Sequence, residues 1–437
     1  MQTKSYTATA LAILFLIVLA ALVGCSGTKT IGGSETAVAT ATDSTVAETS
    51  ATTTEQQYVT DFTSGMVGKK DKATGTDATA TDANNGEIKV KITATGDCAL
   101  APTQLSGYEE SLHNYYDDYG EEYFMKNFKD LFSSDDFTLA NMECALTDLP
   151  YYPEEQPDKA FFIVGKPAYA RILSTASVEG CSLGNNHSMD VGIDGMHDTQ
   201  KAIEDAGMLW AVDDTTATYV TDQGIKIGFV SAQLFGAYED EEYIRNGINK
   251  LKEEGVDLIF ACCHWGIETE FYPTDYQVNL AHEFVDMGAD LIIGNHPHVV
   301  QGVEYYRGKV ILYSLGNFCF GANKTPFDMK DMIYQQTFTF KDGELTTDLD
   351  ATIIPVQIST DPNYNDYQPI ILEGQEKADM IDRINTYCEP YGSVRLDGNG
   401  KISVDESDRV TDWETLPETE EPTVTEEPSD ARMEESW

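Results

Sequence analysis

The chain has 437 residues, with 28 Lys and Arg against 74 Asp and Glu, a formal net charge of −46. Nucleic-acid affinity rests largely on cationic side chains that release counterions from the phosphate backbone, so a nucleic-acid partner is excluded, and broad adhesion to anionic lipid is disfavoured on the same ground. A local pocket built around a metal ion remains compatible with that charge.

A single cation, Lys4, precedes the apolar run Ala8–Gly24, the pattern of a secretory signal rather than of a spanning helix. Leu22-Val23-Gly24-Cys25 resembles the bacterial lipobox. Residues 1–24 therefore read as a lipoprotein signal peptide and Cys25 as the lipidated first residue of the mature chain. An uncleaved anchor or plain secretion is the alternative, and all three place the protein outside the cytoplasm. Residues 25–86 are rich in Ser, Thr, Ala, Gly and Asp, too polar to offset the entropy of ordering, and read as a flexible spacer. At the other end, Asp405–Trp437 carries thirteen acids against two arginines, so 401–437 reads as an acidic disordered tail. One composite domain over 87–400 is left. Seven further cysteines, Cys98, Cys144, Cys181, Cys262, Cys263, Cys319 and Cys388, form no CxxC pair. Buried thiols are expected, with disulfide pairing left open.

Along that domain, Glu87–Asp97 alternates apolar and polar residues and predicts a first strand ending in Gly96-Asp97. A helix over Tyr123–Phe132, a strand over Phe137–Asn141, a helix over Pro167–Ala176, a strand over Val178–Leu183 and a helix over His197–Ala206 follow. Lys226–Ser231, Leu258–Cys262 and Leu291–Ile293 are compact apolar strands, with a helix over Thr274–Met287. Val303–Tyr306, Val310–Leu315, Tyr334–Phe340 and Asp348–Gln357 read as hairpin strands, and Lys377–Cys388 as a last, exterior helix. Helical connections followed by hairpins predict an α/β fold, a mixed or antiparallel second sheet packed on the first in a four-layer α/β/β/α sandwich.

Polar residues cluster just after these strands. Four of the seven histidines fall in three such loops: His187 in GNNH, His264 in CCHWG, and His296 with His298 in GNHPH. Together with Asp97 and Glu143 they offer imidazole and carboxylate ligands from neighbouring strand ends, a set suited to a divalent metal. An extended His296-Pro297-His298 would aim both imidazoles to one side. Singly, each motif has a plainer reading, as a turn at Gly96-Asp97, a helix cap at Asn141-Met142-Glu143, a hydrogen-bonded loop at Asn185-Asn186-His187 or a packed imidazole at His264. His113, His197 and His282 lack such a setting and read as surface or packing residues. Lys166, Arg171, Arg245, Lys324 and Lys330 are the cations near these motifs, with directions the sequence does not reveal.

In order, Gly96-Asp97, Asn141-Met142-Glu143, Asn185-Asn186-His187-Ser188-Met189-Asp190, His264-Trp265-Gly266, Gly288–His298 and Tyr313–Phe318 resemble the bacterial capsule synthesis proteins associated with poly-gamma-glutamate (CapA-like). That family is similar to the calcineurin-like metallophosphoesterases, and the likeness spans roughly residues 88–357. The resemblance implies one or two divalent ions, with Mn, Zn, Fe or Mg all admissible. It implies Asp97 and His298 at a first metal, Glu143 as a bridging or second carboxylate, and Asn186, His264 and His296 at a second. His187 would be a proton donor or oxyanion stabiliser, and Asp97 would ligate or orient the nucleophile. Asn141, Asn185, Asp190, Glu268, Gln277, Ser314 and Asn317 would support these ligands or shape the substrate mouth. The chain departs from the superfamily after Asp97, where Cys98 and Ala99 stand in place of a His ligand two residues on. This thins the first-metal shell. Cys98 reads as a buried thiol or as an inward substitute for that ligand.

The implied role is a membrane-anchored, extracytoplasmic protein of capsule biogenesis whose partners are the capsule polymer or its membrane synthase and export complex. Two mechanisms stand: a metal-dependent hydrolase acting on a phosphoester or the polymer, or a noncatalytic lipoprotein that binds polymer or organises the complex. A polyanionic polymer would be repelled by so acidic a protein unless a metal or a focused cation reversed the local potential.

Overall fold

A computed structural model describes residues 86–405 apart from 153–155, 157–158 and 393. The expected signal, Cys25, the spacer and nearly all of the acidic tail lie outside the described residues. The strands are β1 (Glu87–Cys98), β2 (Phe137–Met142), β3 (Ala145–Leu146), β4 (Val164–Gly165), β5 (Gly180–Ser182), β6 (Leu209–Ala211), β7 (Ala217–Val220), β8 (Lys226–Leu234) and β9 (Leu258–Trp265). They continue with β10 (Leu291–Asn295), β11 (Val303–Tyr306), β12 (Lys309–Leu312), β13 (Lys330–Lys341), β14 (Glu344–Leu345), β15 (Asp350–Gln357), β16 (Ile370–Ile371), β17 (Arg395–Leu396) and β18 (Ile402–Ser403). The helices are α1 (Leu112–Tyr119), α2 (Glu122–Met125), α3 (Lys129–Ser133), α4 (Ala170–Ser174), α5 (Gly192–Asp205), α6 (Tyr238–Glu253), α7 (Asp275–Met287) and α8 (Gly374–Cys388).

One sheet runs β16-β15-β13-β1-β2-β5-β6, with β14 on β13, and the other β11-β12-β10-β9-β8-β7. Alternation along each strand sends one set of side chains between the sheets and the other toward helices. In β9, Leu258, Phe260 and Cys262 join the inter-sheet core, while Ile259, Ala261, Cys263 and Trp265 pack with Ile244 and Ile248 of α6 and Phe284 of α7. On the far side, Ala140 and Met142 of β2 lie with Phe124, Phe132, Ile172 and Ile203 of α2 to α5. The four layers are therefore helices, sheet, sheet, helices, as the sequence implies.

The hairpins do not build the second sheet alone. β13 pairs antiparallel with β1 and β15 antiparallel with β13, extending the first sheet, and β11 with β12 extends the parallel β8-β9-β10 ladder. Each sheet thus has a parallel centre and an antiparallel flank. Met380, Ile381, Ile384 and Cys388 of α8 join the inter-sheet core, so this helix closes that core instead of lying on the exterior. α6 was not expected, although Ile244, Ile248 and Leu251 have helical spacing. The expected helix over Tyr123–Phe132 divides into α2 and α3, and Pro167–Tyr169 is a 3-10 turn leading into α4. β17 pairs with β18 and Ile402 is buried, so the fold passes the expected boundary at 400. Seven cysteines are free and buried. Among the described residues no helix is long and apolar enough to cross a membrane.

Candidate metal centre

Asp97 points into the sandwich because β1 bulges. Val90, Ile92 and Ala94 face the inter-sheet core, and strict alternation would turn Asp97 away from it. The register of β1 on β2 shifts between Thr95 and Asp97; Gly96 is the extra residue, Asp97 turns inward and Cys98 joins the helix-side core. A side chain at position 96 would place Cβ 2.0 Å from the Gly316 carbonyl oxygen, so only glycine fits. Cys98 is no substitute ligand: its side chain packs in the helix-side core, with Sγ 3.6 Å from the Gly96 carbonyl, and burial there pushes its thiol up to about 12.

The neighbouring strands supply the rest by their own alternation. Asn141 follows the inward-facing Phe137 and Leu139 of β2, and Glu143 comes just beyond, its N–H donating to the Cys98 carbonyl at 3.0 Å. His264 takes the inward position of β9 after Cys262. β10 stops at Asn295, and His296 and His298 adopt φ of 98° and 56°. The extended geometry expected for His296-Pro297-His298 is therefore absent. A tight bend, in backbone conformations that histidine visits more readily than most residues, brings the two rings to 5.9 Å. It also lets the His296 N–H donate to Asp97 Oδ2 at 3.3 Å.

These groups converge. His298 Nδ1 lies 3.1 Å from Asp97 Oδ2, and its Nε2 3.7 Å from Glu143 Oε1. His264 Nε2 lies 3.5 Å from Glu143 Oε1 and 2.8 Å from Asn186 Oδ1. Glu143, His264 and His296 have donor atoms within 4.8 Å of one another, as do Asp97, Glu143 and His298, so the two sets share Glu143. Exposed Glu268 forms a third set with His296 and His298.

Asp97 and Glu143 are wholly buried, and neither oxygen of Glu143 has a hydrogen-bond donor. Burial, reinforced by Asp97, drives the Glu143 carboxyl well above the usual range despite His298. Burial opposes charge on His298, but Glu143 and Asp97 outweigh it and push this imidazole up to about 10. Burial pushes His296 down to about 3 and His264 well below its usual value, with neighbouring imidazoles adding to the effect. Two neutral imidazoles and two buried carboxylates, one with orphaned oxygens, form a donor set that fits a divalent cation.

Other expected residues brace this centre. Asn141 donates to Asp97 Oδ1 at 2.8 Å and accepts from Ser182 at 2.9 Å. Asn185 donates to the Met142 carbonyl and accepts from the His187 N–H. His187 Nδ1 lies 3.0 Å from Asp190 Oδ2, and Asn317 Oδ1 lies 3.1 Å from His298 Nδ1. Ser314 donates to the Val299 carbonyl and accepts from Gly316 N–H, holding a loop and touching no ligand. Gln277 is buried, with its amide against Gly266 of the HWG motif; it closes a capping box with Thr274 at the start of α7 and donates to Gln301.

The cations singled out by sequence are engaged elsewhere. Arg245 binds Glu241, Glu242 and Glu283, and Lys324 donates to the Glu110 carbonyl among Tyr115, Tyr364 and Tyr367. Lys166, Arg171 and Lys330 pair with Asp117, Glu121 and Glu376. Sequence reasoning missed Lys159, which pairs with Asp190 and donates to the Asn186 carbonyl at 2.6 Å. It also missed Phe235, half exposed with its ring 4.6 Å from His296, and Asn295, whose buried Oδ1 has no partner. Asn295 could have been found, since it stands inside GNHPH; Lys159 and Phe235 stand in no motif.

Over 231 residues the chain is 30% identical to the capsule biosynthesis protein CapA of Bacillus anthracis, covering 47% of this chain and 56% of that one. It is 32% identical over 215 residues to the PGA biosynthesis protein CapA of Bacillus subtilis (strain 168), covering 45% and 56%. The chain thus spans a little over half the length of these curated relatives. Among solved structures it is similar to purple acid phosphatase PPD1 from yellow lupin seeds at 9% identity, over 65% of this chain and 53% of that one, with a TM-score of 0.29. That degree of overlap adds nothing to the topology described above. The family model described as bacterial capsule synthesis protein PGA_cap matches residues 91–322, more than half of the chain, and the protein belongs to that family.

Proposed function

We propose that this protein is an extracytoplasmic, lipid-anchored member of the capsule synthesis family that acts as a metal-dependent hydrolase on a phosphoester or on a glutamyl capsule polymer. The observation that carries the hydrolase reading is Glu143: buried, shared by two donor sets, and without a hydrogen bond to either oxygen. The anchor rests on the Leu22-Val23-Gly24-Cys25 motif, and the capsule role on family membership.

Asp97, Glu143 and His298 would hold one cation, and Glu143, Asn186, His264 and His296 a second. A bound divalent ion supplies a water of lowered pKa and neutralises charge on the reacting group. The three imidazoles among these donors favour Zn, Mn or Fe over Mg. The protein's own part is to hold and orient. Asn141 fixes one oxygen of Asp97 and the His296 N–H the other. Asp190, itself held by Lys159 and the Ile163 N–H, accepts from His187 Nδ1–H and orients the ring, so that its imidazolium form would give the Nε2 proton to a departing oxygen. Asp97, Glu143, Asp190 and Glu268 outnumber Lys159, so an anionic substrate needs the cation to reverse the local potential.

The test is hydrolysis of bis(4-nitrophenyl) phosphate and of poly-gamma-glutamate by the Mn2+-loaded protein. Activity is expected to vanish with EDTA and in His264→Ala and His296→Ala; full turnover in both variants with chelator present would sink the mechanism. One observation favours a noncatalytic organiser instead. Buried Ala99 stands where the superfamily carries a further ligand, so Asp97, Glu143 and His298 would hold the first cation without it. Saturable binding of polymer by folded His264→Ala, with no turnover by wild type, would select that reading.

A further inference from the structure

His298 is the least conventional donor of the centre. It sits at φ 56° in a bend, and its Nδ1 lies 3.1 Å from both Asp97 Oδ2 and Asn317 Oδ1. A ligating imidazole presents one nitrogen to the metal, and the partner of the other nitrogen decides which. Asn317 is oriented to make that choice. Its Nδ2 donates to the His298 carbonyl at 3.1 Å, which fixes the amide and leaves Oδ1 to accept from Nδ1–H. Once metal entry displaces the other ring proton, the Nε2 lone pair faces the Glu143 side.

Asn317 is held in turn by Asp331, whose Oδ1 accepts the Asn317 N–H at 2.9 Å. Asp331 is wholly buried, near the start of β13, and its Oδ2 has no hydrogen-bond partner. The fit is tight: Gly316 has φ 75°, and a Cβ there would lie 1.9 Å from Asp331 Oδ1. Asp331 lies beyond residues 91–322, the segment that the family model matches, and its one described hydrogen bond is to Asn317. Burying a carboxylate with an open oxygen is destabilising, and the group's one described hydrogen bond leads to the metal centre.

We propose that Asp331 is a positioning residue for the metal centre, acting through the Asn317 backbone to hold the amide that selects the metal-facing nitrogen of His298. The inference rests on the metal-binding reading above. Burial, with Asp328 nearby, pushes the Asp331 carboxyl well above its usual range, so an uncharged acceptor of the same shape can replace it.

The test uses the full chain, titrated with Mn2+ by calorimetry and with Co2+ by visible absorption, alongside melting curves. Asp331→Ala and Asn317→Ala are each expected to weaken binding by about 10–100-fold, the usual effect of losing a residue that orients a ligand, and to change the Co2+ spectrum. The double variant should be no weaker than the worse single variant, because both act on one imidazole. Asp331→Asn should keep wild-type affinity and spectrum. Wild-type binding in Asp331→Ala, or losses that multiply in the double variant, would overturn the proposal. Should Asp331→Ala fail to fold, Asp331→Asn and Asn317→Ala still decide: loss of affinity in an Asp331→Asn protein that melts like wild type, or retention in folded Asn317→Ala, refutes it. A wild-type protein that binds neither ion overturns the metal reading itself, and this inference with it.

Discussion

Glu143→Gln should have opposite effects on the metal-free and metal-loaded protein. Without metal, Glu143 is buried with no hydrogen bond to either oxygen, and its nearest imidazole nitrogens are His264 Nε2 at 3.5 Å and His298 Nε2 at 3.7 Å. Its carboxyl is driven above the ordinary value of 4.5. Above that pH the folded state retains a proton the unfolded chain has released, so Glu143 lowers stability as pH rises through its folded pKa. An unsatisfied buried acceptor costs about 1–3 kcal/mol. Gln keeps the shape, loses the charge and can turn its carbonyl oxygen toward His264 Nε2, which donates to Asn186 Oδ1. His298 loses its weaker partner but retains Asp97 Oδ2 at 3.1 Å, which limits the offset. In EDTA near pH 8 the variant should be more stable by about 1–3 kcal/mol, a rise in Tm of roughly 2–4 °C per kcal/mol. With metal the order reverses. Wild type gains about 2.7 kcal/mol at a metal concentration 100 times Kd, whereas the variant has lost the carboxylate common to both donor sets. Thermal unfolding with EDTA and with Mn2+ checks both halves. A variant that melts below wild type in EDTA, or that keeps the full Mn2+ shift, would refute the reasoning.

Four further outcomes are expected. Because His298 titrates near 10 in the metal-free fold, metal entry must displace its proton, so calorimetric affinity should rise about tenfold per pH unit from about pH 6 to 9 for each proton released; an affinity flat in pH contradicts this. The same elevated pKa adds metal-free stability that is full below 6.5 and lost as pH climbs through about 10, measurable by denaturant unfolding in EDTA, and Glu143→Gln should shrink that contribution because it removes a carboxylate that raises the pKa. Gly96→Ala meets backbone at 2.0 Å and should lower stability by about 1–3 kcal/mol while abolishing metal binding; a wild-type melt would show that the bulge tolerates a side chain. His187→Gln should leave Mn2+ affinity unchanged and cut hydrolysis by about 10²–10⁴-fold, and a matching loss of affinity would make His187 a ligand instead.

Much of the fold was legible because its strands are apolar runs ended by polar loops: Leu258–Cys262 leads to His264, and Leu291–Ile293 to His296 and His298. What escaped the reading depended on contacts remote in sequence. Asp97 faces inward only because β1 shifts register at Gly96 against β2, which alternation alone would misplace. The bend at His296 and His298 overrides the extended geometry that a histidine pair around proline suggests. Gln277 stands three residues after Thr274 and caps α7, a pattern legible in the sequence, while its place against Gly266 comes from tertiary packing. Lys159 and Asp331 reach the centre from a loop and a strand carrying no motif, through bonds to Asn186, Asp190 and Asn317.

The central claim is that Glu143 is shared by two cation sites at the meeting point of the two sheets. Anomalous diffraction from crystals grown with Mn2+ tests it most directly. Anomalous peaks are expected beside Glu143, one toward His264 and His296 and one toward Asp97 and His298. No peak there at saturating Mn2+, with the Glu143 side chain turned away from these imidazoles, would contradict the account.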